Sequence, residues 1–251
     1  MKAPDLPGSE CALFFDFDGT LVDLAPTPDT IAVLPRTAEL LFQLKLALNG
    51  ALAIVSGRPV SEIDHYLHSL KLTVAGVHGT ELRVADGPMR RMPVASLDAA
   101  AVVIARLCEQ HPALLMERKP GAIALHYRQA PALEDMCLAV MEEALLHAEG
   151  MALLRGKFVV EMKPSRATKA AAVHALMDCK PFRLRRPWFF GDDVTDESAF
   201  ELVQSMGGVA IKIGEGETLA SHRLANPAEL HDWLAAAAAQ LGAQQPERFS
   251  R

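Results

Sequence analysis

The sequence predicts an α/β fold in which a parallel-sheet domain is interrupted by a smaller α+β domain. Near both ends of the chain, apolar runs of strand length alternate with helical patterns, as in parallel sheets with helices on both faces. In the middle, a helix followed by two strands occurs twice, which favours an antiparallel sheet with helices on one face. The chain has 251 residues, 50% of them hydrophobic, which is enough for one or two domains with buried cores.

The first part of the larger domain is predicted to run strand, helix, strand, helix. "CALFFDFD" is the first strand, and "RTAELLFQLKLALNG" is a helix with Gly50 placed to end it. "ALAIVSGR" is the next strand, and "PVSEIDHYLHS" is a helix with Pro59 in its first turn. The pattern resumes late in the chain with the helix "SRATKAAAVHALMD", the strand "RPWFFGDD", the helix "DESAFELVQSM", the strand "GGVAIKIG" and the helix "PAELHDWLAAAAAQL".

The predicted insertion has the element order αββαββ. Two segments with helical periodicity, "SLDAAAVVIARLCEQ" and "PALEDMCLAVMEEALLHAEG", are each followed by a pair of short strands. The pairs are "ALLMER" with "AIALHYR" and "MALLR" with "KFVVEMK", each closed by a turn that contains glycine. We therefore predict one domain from residues 1–87 and 164–251, and an inserted α+β domain at 88–163.

Charge and composition exclude several classes of protein. A net charge of -6 argues against a general nucleic-acid binder, although a local basic pocket for an anion remains compatible with it. No apolar run approaches the roughly 18 residues of a membrane span, and "MKAPDLPGSE" lacks the apolar segment of a signal peptide, so we expect a cytoplasmic protein without membrane contact. The four cysteines form no C-x-x-C pair and are expected to be free thiols.

The stretch "ALFFDFDGTLVD" carries the strongest chemical signal. Asp16 and Asp18 stand two residues apart where a predicted buried strand ends, so both side chains point into the crevice beyond its carboxyl end. Two such carboxylates suit phosphoryl transfer. One can attack phosphorus to give an aspartyl-phosphate, and the other can protonate the departing alcohol and later take a proton from water. Mg²⁺, which prefers oxygen ligands, would offset the repulsion between carboxylate and phosphate.

Three further segments extend this signal, and with them the sequence resembles the haloacid-dehalogenase-like phosphohydrolases. "DFDGTLVD", "IVSGR" with Ser56, "SRATKAAAV" with Lys169 and "GDDVTDES" match that family's four motifs in order. The resemblance implies a Rossmann-like core with Asp16 as nucleophile, Asp18 as acid and base, and Ser56 and Lys169 stabilising the transferred phosphate. The implied Mg²⁺ ligands are Asp16, Asp18 and Asp192, with Asp193 and Asp196 holding waters or orienting Lys169.

Position 18 separates branches of that family. Members that resemble P-type ATPases carry threonine there, which preserves a long-lived aspartyl-phosphate, whereas Asp18 supplies the acid that an alkoxide leaving group requires. Phosphatases and phosphomutases both remain open at this point.

A longer match includes the insertion. The sequence resembles the trehalose-6-phosphate phosphatases in the segments "PDTIAVLP", "GALAIVSGR", "LTVAGVHGTELR", "AIALHYRQAP", "GKFVVEMKP", "FFGDDVTDE" and "VAIKIG". By that resemblance the insertion is a cap domain over a disaccharide phosphate, and the activity is Mg²⁺-dependent hydrolysis of trehalose 6-phosphate in the final step of trehalose biosynthesis. A functional association with trehalose-phosphate synthase is also implied.

The same resemblance implies residues that contact the substrate. Gly19 and Ser56 belong to the phosphate end, and Arg58 either reaches the sugar phosphate or caps its own helix. The matching sugar-binding positions of the insertion are Glu117, Lys119, Lys157 and Glu161. Strand alternation is expected to set Lys157 and Glu161 on one side, where paired charges give donors and acceptors for hydroxyl groups.

Three rival functions are compatible with parts of this pattern. A phosphatase for another sugar phosphate, of the sucrose 6-phosphate or mannosyl-3-phosphoglycerate type, needs the same core and differs in the insertion. A phosphomutase needs its phosphoenzyme protected from water. A non-catalytic phosphate-binding module would be expected to lack a catalytic carboxylate, whereas Asp16, Asp18 and Asp192 are all present along with Lys169.

Overall fold

A computed structural model describes residues 1–24, 31–67 and 70–244. The chain forms two compact units, one from Met1–Arg90 with Thr168–Arg251 and the other from Arg91–Ala167. The sequence predicted boundaries at 88 and 163, and the role of the smaller unit as a cap stays a prediction. None of the described helices is both long and apolar enough to cross a membrane.

The larger unit is built on an eight-stranded sheet. Its strands, numbered in chain order, are β1 (Cys11–Phe15), β2 (Leu52–Val55), β3 (Thr73–Gly76), β4 (Glu81–Arg83), β5 (Arg90–Arg91), β10 (Arg186–Gly191), β11 (Val209–Ile213) and β12 (His222–Leu224). Their order across the sheet is β12-β11-β10-β1-β2-β3-β4-β5. The strands from β12 to β3 are parallel to their neighbours, and β4 runs antiparallel to β3.

The central strand β1 is buried along its whole length, as expected for a parallel strand covered on both faces. Its phenylalanines stack on aromatic rings of neighbouring segments, with Phe15 against Phe190 at 4.7 Å between ring centroids. The helices of this unit are α1 (Pro35–Ala47), α2 (Val60–Leu67), α5 (Lys169–Met177), α6 (Glu197–Ser205) and α7 (Pro227–Ala243). The predicted α/β class is confirmed.

The smaller unit is an antiparallel sheet with two helices. Its strands β6 (Leu115–Lys119), β7 (Ala122–His126), β8 (Met151–Gly156) and β9 (Val159–Pro164) have the order β6-β7-β9-β8. Its helices are α3 (Asp98–Gln110) and α4 (Glu134–Leu145). One face of the sheet supplies Ile123, Leu125 and Met162 to a core of its own with these helices. Because side chains alternate along a strand, the residues between them face the other way.

The structure differs from the sequence-based prediction at short elements. Strands β3, β4, β5 and β12 have two to four residues each and were not predicted. Elements this short show neither alternation nor a helical period, and the four-residue β2 was predicted only because its run is uninterruptedly apolar. The predicted strand "KFVVEMK" begins at Val159, so Lys157 lies in the turn before it. The end of the helix predicted through Ser69 lies outside the described residues.

Candidate active site

The candidate site lies at the carboxyl ends of three neighbouring parallel strands. Asp16 directly follows β1, Ser56 follows β2 and Asp192 follows β10. The order β10-β1-β2 places these strand ends beside one another at one edge of the sheet, which is where open α/β sheets bind ligands. The Asp16 amide donates to the Phe190 carbonyl at 2.8 Å, so the sheet ladder continues to the first residue of the site.

Lys169 contacts two aspartates from distant parts of the sequence, Asp16 after β1 and Asp196 after β10. It is the first residue of α5, whose N-cap Thr168 accepts a hydrogen bond from the Ala171 amide. The Lys169 ammonium lies 2.8 Å from Asp16 Oδ1 and 2.7 Å from Asp196 Oδ1. All three side chains are almost completely buried. A buried cation between two buried anions is a fixed arrangement, because separating any of them would leave an uncompensated charge away from water.

The Gly19-Thr20 turn approaches Asp192 closely. Thr20 Oγ1 donates to Asp192 Oδ1 at 3.2 Å. A Cβ atom at Gly19 would lie 2.1 Å from Asp192 Oδ2, and Gly19 has a φ of +80°, so glycine is required there on both counts. The turn after β1 therefore orients the carboxylate that follows β10. Sequence reasoning assigned Gly19 to the substrate and gave Thr20 no role.

Burial of the carboxylates raises their proton affinity. Burial raises the pKa of Asp16 well above its ordinary value; Lys169 opposes that shift, and the charges of Asp196 and Asp192 add to it. Burial likewise raises the pKa of Asp192 to about 6, with the Asp196 charge acting in the same direction and Lys169 against it. Burial, reinforced by repulsion among the carboxylates, therefore outweighs the opposing effect of the Lys169 charge.

Asp16, Asp192 and Asp196 each offer a carboxylate oxygen within 4.8 Å of the others. Asp196 already uses both oxygens, one with Lys169 and the other accepting from the Asp193 amide at 3.0 Å. The Asp193 and Asp196 pair forms a reciprocal capping box at the turn after β10. This arrangement fits Asp196 as an orienting residue, and it leaves Asp16 and Asp192 as the carboxylates best placed to hold a cation.

The Asp18 side chain faces Arg58. The guanidinium Nε and Nη2 atoms donate to Asp18 Oδ2 and Oδ1 at 2.7 and 2.9 Å, a two-point contact, and Nη1 donates to Glu62 Oε2 at 2.8 Å. The sequence placed the Asp18 carboxylate among the metal ligands and left Arg58 open between contact with the sugar phosphate and capping of its own helix. Within the described residues, the cluster that could hold a metal contains Asp196 in its place. Nothing in the local sequence indicated this pairing, because residues 18 and 58 belong to different turns.

The second group of predicted residues lies on one face of the smaller sheet. Glu117 and Glu161 both pair in register with Ala124, so the three side chains share a face, away from the α3 and α4 core. The Lys119 ammonium lies 3.3 Å from Glu161 Oε2 and 3.9 Å from Glu117 Oε2. His126 Nε2 is 2.8 Å from Glu117 Oε2, a partner that sequence reasoning did not assign.

Lys157 does not share that strand face. It lies in the turn between β8 and β9, it is exposed, and its carbonyl accepts a hydrogen bond from Arg128. The argument from strand alternation therefore fails for Lys157, because the strand begins two residues later. Glu117, Lys119 and Glu161 form the charged row that the structure brings together.

A parallel sheet with a buried aspartate after its central strand, a lysine bridging two aspartates and a second loop rich in aspartate is the arrangement expected of a haloacid-dehalogenase-like fold. The fold agrees with solved structures: a haloacid dehalogenase-like hydrolase from Bacteroides thetaiotaomicron has a TM-score of 0.63 at 13% identity, covering 92% of this chain and 98% of that chain. The C-terminal domain of C. albicans trehalose-6-phosphate phosphatase has a TM-score of 0.80 at 19% identity, and the match covers 91% of this chain and 92% of that chain.

The sequence comparisons identify the family. The family model for trehalose-phosphatase matches residues 14–231. The trehalose-6-phosphate phosphatase of Escherichia coli (strain K12) is 40% identical over 235 residues, which cover 93% of this chain and 88% of that protein. The chain belongs to the trehalose-phosphatase family.

Proposed function

We propose that this protein hydrolyses trehalose 6-phosphate to trehalose and inorganic phosphate. The observation that carries the proposal is the buried Asp16-Lys169-Asp196 bridge beside Asp192 at the carboxyl edge of the sheet. The activity named for the Escherichia coli relative and the matching family model support the choice of substrate.

In the proposed mechanism, an Asp16 oxygen attacks phosphorus while the bond from phosphorus to the 6-oxygen of trehalose breaks. Asp18 gives its proton to that oxygen, so trehalose leaves as a neutral alcohol. A water molecule then attacks the aspartyl-phosphate, Asp18 takes a proton from the water, and the bond between phosphorus and Asp16 breaks. Ser56 and Lys169 supply hydrogen bonds to the phosphate oxygens, which carry more charge in the transition state.

Arg58 has a positioning role in this mechanism. Its two-point contact orients Asp18 as the ionised carboxylate that takes a proton from water, and Arg58 is itself held by Glu62. To give a proton to the leaving oxygen, Asp18 has to be protonated and release at least one of these two contacts. The Ser56 hydroxyl accepts a hydrogen bond from the Arg58 amide at 3.1 Å, which leaves its own proton for a phosphate oxygen. One short turn after β2 therefore supplies both Ser56 and Arg58.

We propose Mg²⁺ as the cofactor, held by Asp16 and Asp192. The donor set fits, since both groups are hard oxygen ligands in a buried cluster of three carboxylates, where burial first and the neighbouring carboxylate charges second raise the pKa of each. When bound, the ion would neutralise charge on the carboxylates and on the incoming phosphate. Asp196 and Thr20 would orient Lys169 and Asp192 around it.

We propose that Glu117, Lys119 and Glu161 recognise sugar hydroxyls. Carboxylates accept and an ammonium donates, so the row offers partners for several hydroxyl groups. The flanking Ala122 and Ala124 are small, and the row itself is largely withdrawn from solvent, with side-chain exposures of 26% for Glu117, 10% for Lys119 and 8% for Glu161. The sugar rings of a disaccharide carry many hydroxyl groups and no charge, so they can form hydrogen bonds with such a row of donors and acceptors.

The proposal extends to location and partner. Trehalose 6-phosphate is an anionic metabolite that does not cross membranes unaided, so we propose a cytoplasmic enzyme. It would be functionally associated with the trehalose-phosphate synthase that supplies the substrate.

The test of function is phosphate release from a panel of sugar phosphates. We expect Mg²⁺-dependent hydrolysis of trehalose 6-phosphate and a kcat/KM well above that for glucose 6-phosphate, because glucose 6-phosphate has the reacting ester without the second ring. Release should stop after chelation and return with Mg²⁺. Equal kcat/KM for the two esters would reject disaccharide recognition, and preference for sucrose 6-phosphate or mannosyl-3-phosphoglycerate would reassign the substrate.

Glu161→Gln should impair sugar recognition while sparing the chemistry. The change keeps the shape of the side chain and removes the charge that pairs with Lys119, so the loss of one hydrogen bond to a charged group is expected. That loss is about 1.5–3 kcal/mol, or about 10- to 150-fold in kcat/KM for trehalose 6-phosphate. Hydrolysis of a small aryl phosphate should change little, and so should both substrates for the exposed control Glu149→Gln.

Lys157→Ala is the informative comparison for that measurement. Since Lys157 lies in an exposed turn outside the charged row, we expect a smaller effect than for Glu161→Gln. Equal losses on both esters for Glu161→Gln would place Glu161 outside sugar recognition.

A further inference from the structure

We propose that His78 and Glu81 are positioning residues that fix the turn Ser56–Pro59, and through it the Ser56 hydroxyl that binds the phosphate. This inference deepens the proposed function and rests on it for the role of Ser56. The two residues belong to the segment Gly76–Glu81, which follows β3 and is called here the bracing segment. Because the phosphate is common to all substrates, their effect should be independent of the sugar.

The backbone of the bracing segment holds the turn from both ends. The Val77 amide donates to the Arg58 carbonyl at 3.0 Å, and the His78 amide donates to the Ser56 carbonyl at 2.9 Å. The Ser56 amide in turn donates to the Ala75 carbonyl at 2.9 Å, at the end of β3. The main chain on either side of the phosphate-binding hydroxyl is therefore tied to one neighbouring segment.

Glu81 fixes the far end of the turn. Its carboxylate is buried, with 2% of the residue exposed, and Oε2 accepts a hydrogen bond from the Val60 amide at 3.0 Å. Val60 is the first residue of α2, where amide groups have no partner within the helix. A carboxylate that satisfies such an amide is also favoured by the helix dipole. Glu81 thus acts as the cap of a helix that begins on the other side of the turn.

The His78 ring covers the middle of the turn. A Cβ atom at Gly57 would lie 2.8 Å from His78 Nε2 and 3.0 Å from Cε1, so the imidazole packs directly on the Gly57 main chain. His78 is 6% exposed. The ring therefore contacts the turn at Gly57 and the Glu81 carboxylate binds Val60, the residue that follows the turn, while the backbone bonds hold the Ser56 and Arg58 carbonyl groups.

The bracing segment adopts an unusual backbone conformation. Val77 and His78 have φ values of 46° and 54°, in the left-handed region that a β-branched residue such as valine rarely enters. Residues in sparsely populated conformations persist where the surrounding structure over-determines them, and they concentrate at functional sites. Here the two strained residues are those whose amides hold the Ser56 and Arg58 carbonyls.

Displacement of this turn would misplace the Ser56 hydroxyl and loosen the Arg58 contact with Asp18. Misplacement of a catalytic group by about 1 Å can lower a rate on the order of 100-fold. We therefore expect His78→Ala and Glu81→Ala each to lower kcat/KM about 10- to 100-fold, by a similar factor for trehalose 6-phosphate and for an aryl phosphate. Inhibition by inorganic phosphate should weaken in parallel, because inorganic phosphate binds the Ser56 hydroxyl without any contribution from a sugar.

The experiment measures kcat and KM on both esters, the inhibition constant of inorganic phosphate, and thermal melts for each variant. His65→Ala, an exposed histidine on α2, is the control and should change none of them. Glu81→Gln keeps an oxygen that can accept from the Val60 amide and should recover most of the activity that Glu81→Ala loses. This conservative variant also serves if Glu81→Ala does not fold.

A second pair of variants tests the ring contact itself. Gly57→Ala should reduce activity by displacing the imidazole, and Gly57→Ala combined with His78→Ala should lose less than the product of the single effects. Lowered melting temperatures with unchanged kinetics and phosphate inhibition would overturn the proposal, and so would a loss confined to trehalose 6-phosphate. Failure of the proposed function would instead appear in the unaltered protein, as hydrolysis of the aryl phosphate without hydrolysis of trehalose 6-phosphate.

Discussion

Asp16→Asn is expected to lower kcat for trehalose 6-phosphate by more than about 10⁴-fold, the scale of losing the residue that forms a covalent intermediate. An amide has nearly the shape of a carboxylate but is a poor nucleophile. The asparagine oxygen can still accept from Lys169, and one of the three mutually repelling carboxylates of the cluster is removed. We therefore expect the fold to survive the change that stops turnover.

The measurement is phosphate release together with acid quenching to trap the phosphoenzyme. Both turnover and trapped phosphate should vanish in Asp16→Asn and remain in the control Asp23→Asn, which alters an exposed carboxylate of the same segment. Thermal melts should show both variants folded. Trapped phosphate that persists in Asp16→Asn would assign the nucleophile to another residue.

Lys169→Met is expected to remove activity and to destabilise the protein by about 3–5 kcal/mol, the range for breaking a buried ion pair. The ammonium lies between Asp16 and Asp196 with 3% of its residue surface exposed, so no solvent can replace it. The remaining carboxylates would repel one another without compensation. Activity falls as well, because the same group stabilises charge on the transferred phosphate.

The destabilisation should depend on pH in a definite direction. The pKa of Asp192 is raised from 3.8 to about 6 in the folded protein, so the folded state binds more protons than the unfolded state between these values. Stability therefore falls as the pH rises through this interval. Loss of Lys169, which opposes that shift, should enlarge the effect. Without added metal, Lys169→Met should melt at a clearly higher temperature at pH 5 than at pH 7.5.

Denaturant unfolding at the two pH values, with and without Mg²⁺, checks this expectation. Mg²⁺ should restore part of the stability at pH 7.5 and less at pH 5, where protons compete for the same carboxylates. Lys2→Met is the matched control, since its ion pair with Asp5 is exposed and worth about 0–1 kcal/mol. A Lys169→Met protein as stable as the unaltered chain at pH 7.5 would contradict the compensating role of the lysine.

The sequence was sufficient for the features that depend on strand ends. Asp16, Ser56 and Asp192 each follow an apolar run, and parallel strands bring such positions to one edge of a sheet, so their proximity could be predicted. The α/β class followed from the same apolar runs. The helix predicted from Ser165 begins instead at Lys169, although Thr168 is a recognisable N-cap that marks this start in the sequence.

Side-chain pairing between distant turns could not be predicted in this way. Asp18 contacts Arg58, and Glu81 contacts the Val60 amide, across segments whose approach is set by packing rather than by sequence spacing. The predicted position of Lys157 on the strand face was wrong for a different reason. Strand periodicity does not mark where a hairpin turn ends, and Phe158, at a φ of 63°, still belongs to the turn.

The place of β1 between β2 and β10 also affects how the chain is made. During synthesis β1 can pair with β2 early, but its other edge stays open until β10 has emerged, after the whole smaller unit. That open edge carries the apolar sequence "CALFF", the kind of segment that pairs with other chains. We therefore expect nascent or truncated chains that stop before Arg186 to be prone to aggregation until about the last quarter of the protein has been translated.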